Sequence, residues 1–363
     1  MMAVDLSPGS LIKRARHDVG RNLRRVRNGV KHVAGIDHAE VGTTPKETVW
    51  ARGKVQLWRY RSDSIGHRPP VLLVFSLVSR SYVLDLRPGD SFVEHLRDAG
   101  LDVFLLDWGI PDEAEAGNTL ETYVDQLLPQ AVHAVLDVSG SDELTMFGYC
   151  MGGILAVLTA AGHPHLPIRN LLCMATPTDF REMGTPNVLL QSGDVENAID
   201  ETGNVPASAV RAALSSARPT GELTKLANLI DNLWSDDYLD AHQTMGRWSS
   251  DHIPMPGGVA RQVAEIFGRD NALMTGRVRL GGRDVLLRDI RQPFAHVVAE
   301  RDHLVPIAAT HPLLGLVGSR QREELRLDAG HIGLVVGRKA HQVTVPRIVR
   351  WLLDHSVPVA GAV

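Results

Sequence analysis

The chain has 363 residues, of which 44% are hydrophobic and 22% charged, and its formal net charge is −4. This length is enough for one large α/β domain with an insertion, or for two smaller domains. No apolar run approaches the ~18–20 residues that a membrane-spanning helix needs, and the basic N-terminus lacks the apolar block of a secretory signal. Two cysteines, Cys150 and Cys173, make no disulfide framework. We therefore expect a cytoplasmic protein without a transmembrane segment.

Residues 1–45 are predicted to form a basic amphipathic leader. Apolar residues recur at threes and fours from Ile12 to Val33, which places them on one helical face. Such a helix either packs against the body of the protein or docks on a partner, an anionic surface or a lipid inclusion. Nucleic acid is not expected as a partner, because the rest of the chain is slightly acidic and has no recognisable nucleic-acid-binding module.

Strand and helix patterns alternate through the following 130 or so residues, as expected for a doubly wound sheet. Residues 49–60 alternate well enough for a strand or hairpin, and the apolar run 71–75 suits a strand buried on both faces. Pro69 and Pro70 predict a break before that second strand. After it come predicted helices over 90–99 and 119–138 and predicted strands over 101–106, 144–147 and 168–174. This alternation predicts a parallel sheet.

The stretch Gly148-Tyr-Cys-Met-Gly-Gly153 has the pattern of a nucleophile elbow, with cysteine at the position where most hydrolases carry serine. A short apolar strand precedes it and an apolar helix follows. The glycines are needed because side chains at these positions would collide with the neighbouring strand and helix. The alternative is a buried cysteine in an ordinary strand–helix connection. The elbow predicts Cys150 as a nucleophile, which then needs a base and an acid elsewhere in the chain.

The alternation stops at residue 181. Residues 181–285 are mostly helical in pattern and are predicted as a cap inserted between two strands of the sheet. Strand patterns return at 294–299 and 324–327, before a closing helix. Together with the elbow, this order predicts an α/β-hydrolase fold, a mostly parallel, doubly wound sheet with an inserted helical cap. The predicted core comprises residues 46–180 and 286–363.

The acid and the base are predicted from chain order, which in this fold runs nucleophile, acid, base. Asp302 follows one late strand and His331 follows the last one, and the carboxyl ends of parallel strands meet at one edge of the sheet. His303 is the nearest rival, but it lies beside the acid rather than after the final strand. We therefore predict a Cys150–His331–Asp302 triad. The oxyanion donors are predicted to be the backbone N–H groups of Met151 and Val78.

These motifs together resemble the polyhydroxyalkanoate synthases, most closely the catalytic subunit of the two-component class III type. The resemblance covers roughly residues 45–355 and assigns nucleophile, acid and base to Cys150, Asp302 and His331. Ser79 and Ser81 depart from the Asn and Pro that are common in the first loop of the family. The blocks that carry the resemblance are Leu77-Val-Ser-Arg-Ser-Tyr-Val-Leu-Asp-Leu86, Asp107-Trp-Gly109, Gly148-Tyr-Cys-Met-Gly-Gly153, Ala175-Thr-Pro-Thr-Asp179, Asp302-His-Leu-Val-Pro306 and Gly330-His-Ile-Gly333.

The resemblance implies an acyltransferase that polymerises (R)-3-hydroxyacyl-CoA into polyester and releases CoA. It also implies as partners the growing chain or a granule surface, and either a second synthase subunit of the PhaE type or a homo-oligomer. His331 or Asp302 would activate the attacking hydroxyl. Neither a cofactor nor a metal is expected, since CoA is part of the substrate. Arg80 and Arg247 are weak candidates for contacts with the CoA nucleotide, and the pair His163 and His165 is a weak candidate for a ligand site.

Two other functions fit parts of the sequence. The first is a cysteine-nucleophile α/β-hydrolase, such as a thioesterase, a depolymerase or a dienelactone hydrolase, although the last are much shorter and lack a cap of this length. The second is a non-catalytic scaffold that binds lipid inclusions through the basic leader, against which the intact triad argues.

Overall fold

The computed structural model describes Arg27 and residues 40–359, with gaps at 63, 193–194, 218–228, 230 and 233. The predicted leader, residues 1–45, lies almost entirely outside the described residues and stays a prediction. Contacts divide the chain into two compact units, one of residues 42–218 with 250–363 and the other of residues 1–41 with 219–249. Within the second unit, Arg27 forms an ion pair with Asp236 at 2.5 Å.

The regular elements have the following bounds. The strands are β1 (Lys46–Arg52), β2 (Val55–Tyr60), β3 (His67–Val74), β4 (Leu101–Asp107), β5 (Leu144–Tyr149), β6 (Ile168–Met174), β7 (Asn204–Val205), β8 (Met255–Pro256), β9 (Arg277–Leu280), β10 (Arg283–Leu286), β11 (Phe294–Ala299), β12 (Arg322–Leu327) and β13 (Val357–Pro358). The α-helices are α1 (Phe92–Asp98), α2 (Leu128–Ser139), α3 (Met151–Gly162), α4 (Thr185–Ser192), α5 (Val195–Ala198), α6 (Ala207–Ser215), α7 (Asp236–Ser250), α8 (Gly257–Gln262), α9 (Ile307–Thr310), α10 (Leu313–Leu316) and α11 (Val345–Asp354). Short 3₁₀ turns cover Ser81–Asp85, Phe180–Met183, Ala272–Thr275, Leu287–Asp289 and Ile332–Leu334, and π-helical turns cover Thr122–Leu127, Val263–Arg269 and Ala340–Thr344.

The central sheet has the strand order β1-β2-β4-β3-β5-β6-β11-β12, with β13 paired to the start of β3. From β4 to β12 neighbouring strands run parallel, whereas β1 and β2 form an antiparallel hairpin at one edge. The carboxyl ends of the parallel strands therefore meet at one edge of the sheet, where such folds bind ligands. This confirms the predicted mostly parallel sheet.

Helices cover both faces of the sheet. On one face α2 and α3 pack against a cluster that includes Leu72, Phe104 and Met146, all fully buried. On the other face Phe92 of α1 meets Phe147 of β5 edge to face, with ring centroids 5.6 Å apart. The two-sided covering explains why these strands are continuous apolar runs rather than alternating ones.

The predicted break at Pro69 and Pro70 is wrong, because β3 begins at His67 and passes through both prolines. Proline has no N–H for a sheet ladder, so it is tolerated only where no such donor is needed. The ladder with β4 meets this condition, since its register is irregular between His67 and Val71. Other predicted elements agree with the structure, including the strands 168–174 and 294–299.

Residues 181–285 are mostly helical where they are described, and their strands are the short pairs β7–β8 and β9–β10. The contact-based division places residues 181–218 and 250–285 with the sheet rather than in a unit of their own. The cap of residues 181–285 therefore stays a prediction as a domain assignment. Among the described helices, none combines the length and hydropathy that crossing a membrane requires.

His296 lies in the middle of β11 and is completely buried, and neither of its ring nitrogens has a hydrogen-bond partner within the described residues. Burial lowers the pKa of His296 to about 4, while Glu324 opposes this shift and His311 adds to it. Burying an unpaired imidazole in its charged form is unfavourable, so the folded protein keeps His296 neutral.

We expect His296 to make the fold sensitive to acid. Above pH 6.5 the side chain is neutral in both states, but between about pH 6.5 and pH 4 only the unfolded state binds the proton. Stability should therefore fall by about 3 kcal/mol across this window, and His296→Leu should flatten that part of the pH profile of unfolding free energy in urea. His133→Leu, at an exposed position on α2, is the matched control. Parallel pH profiles for wild type and His296→Leu would contradict the prediction.

Candidate active site

Cys150 occupies the tight turn between β5 and α3. Its backbone has φ 56° and ψ −124°, a conformation that non-glycine residues rarely adopt. The Cys150 N–H donates to Met174 O at 2.9 Å, and the Cys150 carbonyl accepts from Gly153 N at 2.9 Å. These bonds hold a strained residue at the carboxyl edge of the sheet, with its free thiol partly exposed.

Close packing around the turn explains the glycines of the elbow. A Cβ added to Gly148 would lie 2.5 Å from Gly153 Cα, and one added to Gly152 would lie 2.1 Å from Val74 O. A Cβ on Gly153 would come within 1.8 Å of Thr176 Oγ1. Real Cβ atoms do not approach other atoms so closely, so the steric argument made from the sequence holds at all three positions.

Asp302 lies in the turn that follows β11, and its side chain is fully buried. One carboxylate oxygen accepts from the backbone N–H groups of Leu304 at 2.9 Å and Val305 at 2.8 Å. The other oxygen is 2.7 Å from His331 Nδ1. A buried carboxylate of this kind is favourable only because each oxygen has donors.

His331 follows β12, and its Nδ1 is hydrogen-bonded to Asp302 while Cys150 is near enough to affect its pKa. Burial alone would lower the pKa of His331, but the negative charges of Asp302 and Cys150 and their hydrogen bonds raise it to about 10. Because Nδ1 faces Asp302, Nε2 is the nitrogen left for Cys150. The structure thus brings the predicted nucleophile, base and acid together at one end of the sheet, and their catalytic roles stay predictions.

The rival histidine and the weaker candidates have other surroundings. His303 is exposed, one residue after the acid. His163 Nε2 is 2.8 Å from Asp125 Oδ1, and a metal-binding group of three or more His, Cys, Asp or Glu side chains is not found among the described residues. Arg80 lies 6.0 Å from the ring of Tyr82, and Arg247 lies on α7, in the other unit. The roles of these two arginines in binding the CoA nucleotide stay predictions.

The oxyanion candidates are on two segments near the turn. Met151 is the first residue of α3, and Val78 lies partly buried in the loop after β3. Neither backbone N–H donates to an acceptor within the described residues. A helix leaves its first N–H groups without internal partners, which is why such a position can bind an anion.

The contacts that hold the loop carrying Val78 were not predicted from the sequence. Trp108 Nε1 donates to Phe75 O at 2.9 Å, and Ser81 Oγ donates to a carboxylate oxygen of Asp107. These contacts fix the loop at both of its ends. The available signal was the Asp107-Trp108-Gly109 block at the end of β4, because a buried indole N–H needs an acceptor.

Comparison with known proteins adds two findings to this geometry. The family model described as "alpha/beta hydrolase fold" matches residues 69–337, which is most of the chain. A hydrolase of known structure from Pseudomonas aeruginosa PA01 superposes with a TM-score of 0.53 at 15% identity, over 86% of this chain and 99% of that one. Both confirm the predicted α/β-hydrolase fold.

Curated relatives are more specific. The poly(3-hydroxyalkanoate) polymerase subunit PhaC of Allochromatium vinosum is 33% identical over 97% of this chain and 99% of its own length. The subunit of the same name from Thiocystis violacea is 31% identical over 98% of this chain and 100% of its own. The chain belongs to the PhaC family. The resemblance seen in the sequence motifs is therefore confirmed over nearly the whole chain.

Replacing Asp302 should lower the reactivity of the Cys150 thiol. In Asp302→Asn the charge that keeps His331 protonated is lost, so the imidazolium should disappear at a much lower pH than about 10. One pKa unit changes this equilibrium tenfold, so alkylation of Cys150 by iodoacetamide near neutral pH should slow by roughly tenfold or more. Mass spectrometry of the Cys150 peptide measures this rate.

Asp328→Asn is the control for this variant. Asp328 lies just before His331 in the chain, but its exposed carboxylate pairs with Arg301 at 2.6 Å and with Lys339 at 2.5 Å. In Asp328→Asn the alkylation of Cys150 should keep its wild-type pH profile. Equal rates in Asp302→Asn and wild type would show that the acid does not control the thiol.

Proposed function

We propose that this protein is the catalytic subunit of a polyhydroxyalkanoate synthase, which polymerises (R)-3-hydroxyacyl-CoA into polyester and releases CoA. The observation that carries the proposal is the hydrogen bond from His331 to Asp302 beside Cys150, in a member of the PhaC family. A cysteine suits this chemistry, because its acyl thioester is close in energy to the thioester substrate and transfers readily to an alcohol.

In the first half-reaction His331 Nε2 already holds the proton taken from Cys150, and the Cys150 thiolate attacks the thioester carbonyl. The backbone N–H groups of Met151 and Val78 stabilise the tetrahedral oxyanion. The bond between the carbonyl carbon and the CoA sulfur then breaks. CoA leaves with the proton from His331, and the hydroxyacyl group remains on Cys150.

In the second half-reaction the hydroxyl of a growing chain or of a second monomer attacks the acyl thioester. His331 takes the hydroxyl proton and returns it to the Cys150 sulfur as the ester forms. We assign this step to His331 rather than to Asp302. Both oxygens of Asp302 already accept hydrogen bonds, and its side chain is fully buried, so it has no room for a substrate hydroxyl.

The proposed partners follow from this chemistry and from the family. The acyl donor is a hydroxyacyl-CoA, and the product is a chain that stays at the surface of a polyester granule in the cytoplasm. A second synthase subunit or a second copy of the chain would complete the assembly. No cofactor or metal takes part in the steps above, since acid–base and nucleophilic groups of the chain supply them.

Polymerisation can be separated from the other two functions in one assay. The purified protein, with and without a candidate second subunit, is given (R)-3-hydroxybutyryl-CoA, and CoA release and polymer turbidity are followed together. We expect both signals to rise. CoA release with only free hydroxy acid would indicate a hydrolase, and no release under either condition would indicate a scaffold.

Cys150→Ala should abolish CoA release and leave the fold intact. Cys150→Ser should retain only a small fraction of the activity, because a hydroxyl is far harder to deprotonate than a thiol. Cys173→Ala is the control for loss of a thiol, since burial raises the pKa of Cys173 to about 12 and keeps it unreactive. Turnover that survives in Cys150→Ala would refute the assignment.

A further inference from the structure

Tyr149 immediately precedes the nucleophile and has no step in the mechanism above. Its side chain is almost completely buried at the end of β5. A buried tyrosine usually needs a hydrogen-bond acceptor for its hydroxyl, and the identity of that acceptor indicates what the residue does.

Two contacts connect Tyr149 to the base. Its hydroxyl donates to the backbone carbonyl of His331 at 3.0 Å. Its ring also stacks on the imidazole of His331, with ring centroids 5.2 Å apart and planes inclined by 24°. One side chain therefore fixes both the backbone and the ring face of the base, while Asp302 fixes its Nδ1.

The tyrosine is itself held in place from its other side. The Phe75 ring lies 5.6 Å from the Tyr149 ring, and the Phe75 carbonyl accepts the indole N–H of Trp108. Burial, with the charges of Cys150 and Asp302, raises the pKa of Tyr149 well above 10, so the hydroxyl keeps the proton that it donates. A neutral aromatic face beside a cationic ring stabilises the cation electrostatically.

We infer that Tyr149 is a positioning residue for His331, whose hydroxyl orients the base and whose ring favours the imidazolium that pairs with the Cys150 thiolate. This inference rests on the proposed function. It assigns the two tasks to different parts of one side chain, so that two substitutions separate them. Tyr149→Phe removes only the hydroxyl, and Tyr149→Leu removes the hydroxyl and the stacked ring.

The test measures kcat, KM and the pH profile of CoA release in the full-length protein with (R)-3-hydroxybutyryl-CoA. Tyr149→Phe should lower kcat by roughly fivefold, the effect of one neutral hydrogen bond, and should keep the wild-type pH limbs. In Tyr149→Leu the alkaline limb should fall, and the acid limb should rise, by about one pH unit each. KM should stay constant in both variants, because the Tyr149 side chain is buried.

A second readout does not depend on turnover. Ultraviolet absorbance of the thiolate, taken as the difference from Cys150→Ala, reports the pH range over which the Cys150–His331 ion pair exists. That range should narrow in Tyr149→Leu and should be unchanged in Tyr149→Phe. Phe147→Leu is the matched control. It removes another buried ring of β5, one that packs against Phe92 and not against His331.

Unchanged pH limbs and thiolate titration in a folded Tyr149→Leu protein would overturn the inference, and so would an equal shift in Phe147→Leu. Either result leaves wild-type polymerisation intact. Failure of the proposed function is distinguishable, because the wild-type protein would then release no CoA or would form no polymer.

Discussion

A carboxylate removed from water costs free energy unless its charge is matched, and in this protein the match for Asp302 defines the site. Two backbone N–H groups donate to one oxygen, and the other oxygen faces His331 Nδ1 at 2.7 Å. That contact leaves Nε2 as the imidazole nitrogen for the thiol, and against the opposing effect of burial Asp302 and Cys150 together raise the pKa of His331 to about 10. The basicity of His331 therefore depends on a turn that lies more than 150 residues after Cys150 in the chain.

The other half of the site depends on steric exclusion. Cys150 adopts a positive φ because β5 must turn at once into α3, and the three glycines around it leave no space for a Cβ. Strain at the nucleophile is thus supported by close packing on both sides. Tyr149 connects the Asp302–His331 pair with the strained turn at Cys150. It directly precedes the cysteine in the chain, and its side chain contacts His331.

Local pattern was sufficient to predict most of the sheet and to select Cys150, Asp302 and His331, which the structure places together. Continuous apolar runs marked the buried strands, and the order of the fold assigned Asp302 and His331 to strand ends. Contacts across the fold could not be predicted in this way. The role of Trp108 depends on the distant Phe75 carbonyl, and β3 tolerates Pro69 and Pro70 only because its ladder with β4 is irregular there. Both features depend on contacts between residues far apart in the chain, which the local sequence pattern does not show.

Our proposal is that Cys150 carries the acyl chain as a thioester. It is tested most directly by mixing the protein with a substoichiometric amount of (R)-3-hydroxybutyryl-CoA, quenching with acid and mapping the peptides by mass spectrometry. We expect a 3-hydroxybutyryl group on the peptide that contains Cys150 and none on the peptide that contains Cys173. In Asp302→Asn we expect no modification within the same short reaction time. An acyl group on another residue, or CoA release without any acyl-enzyme in rapidly quenched samples, would contradict it.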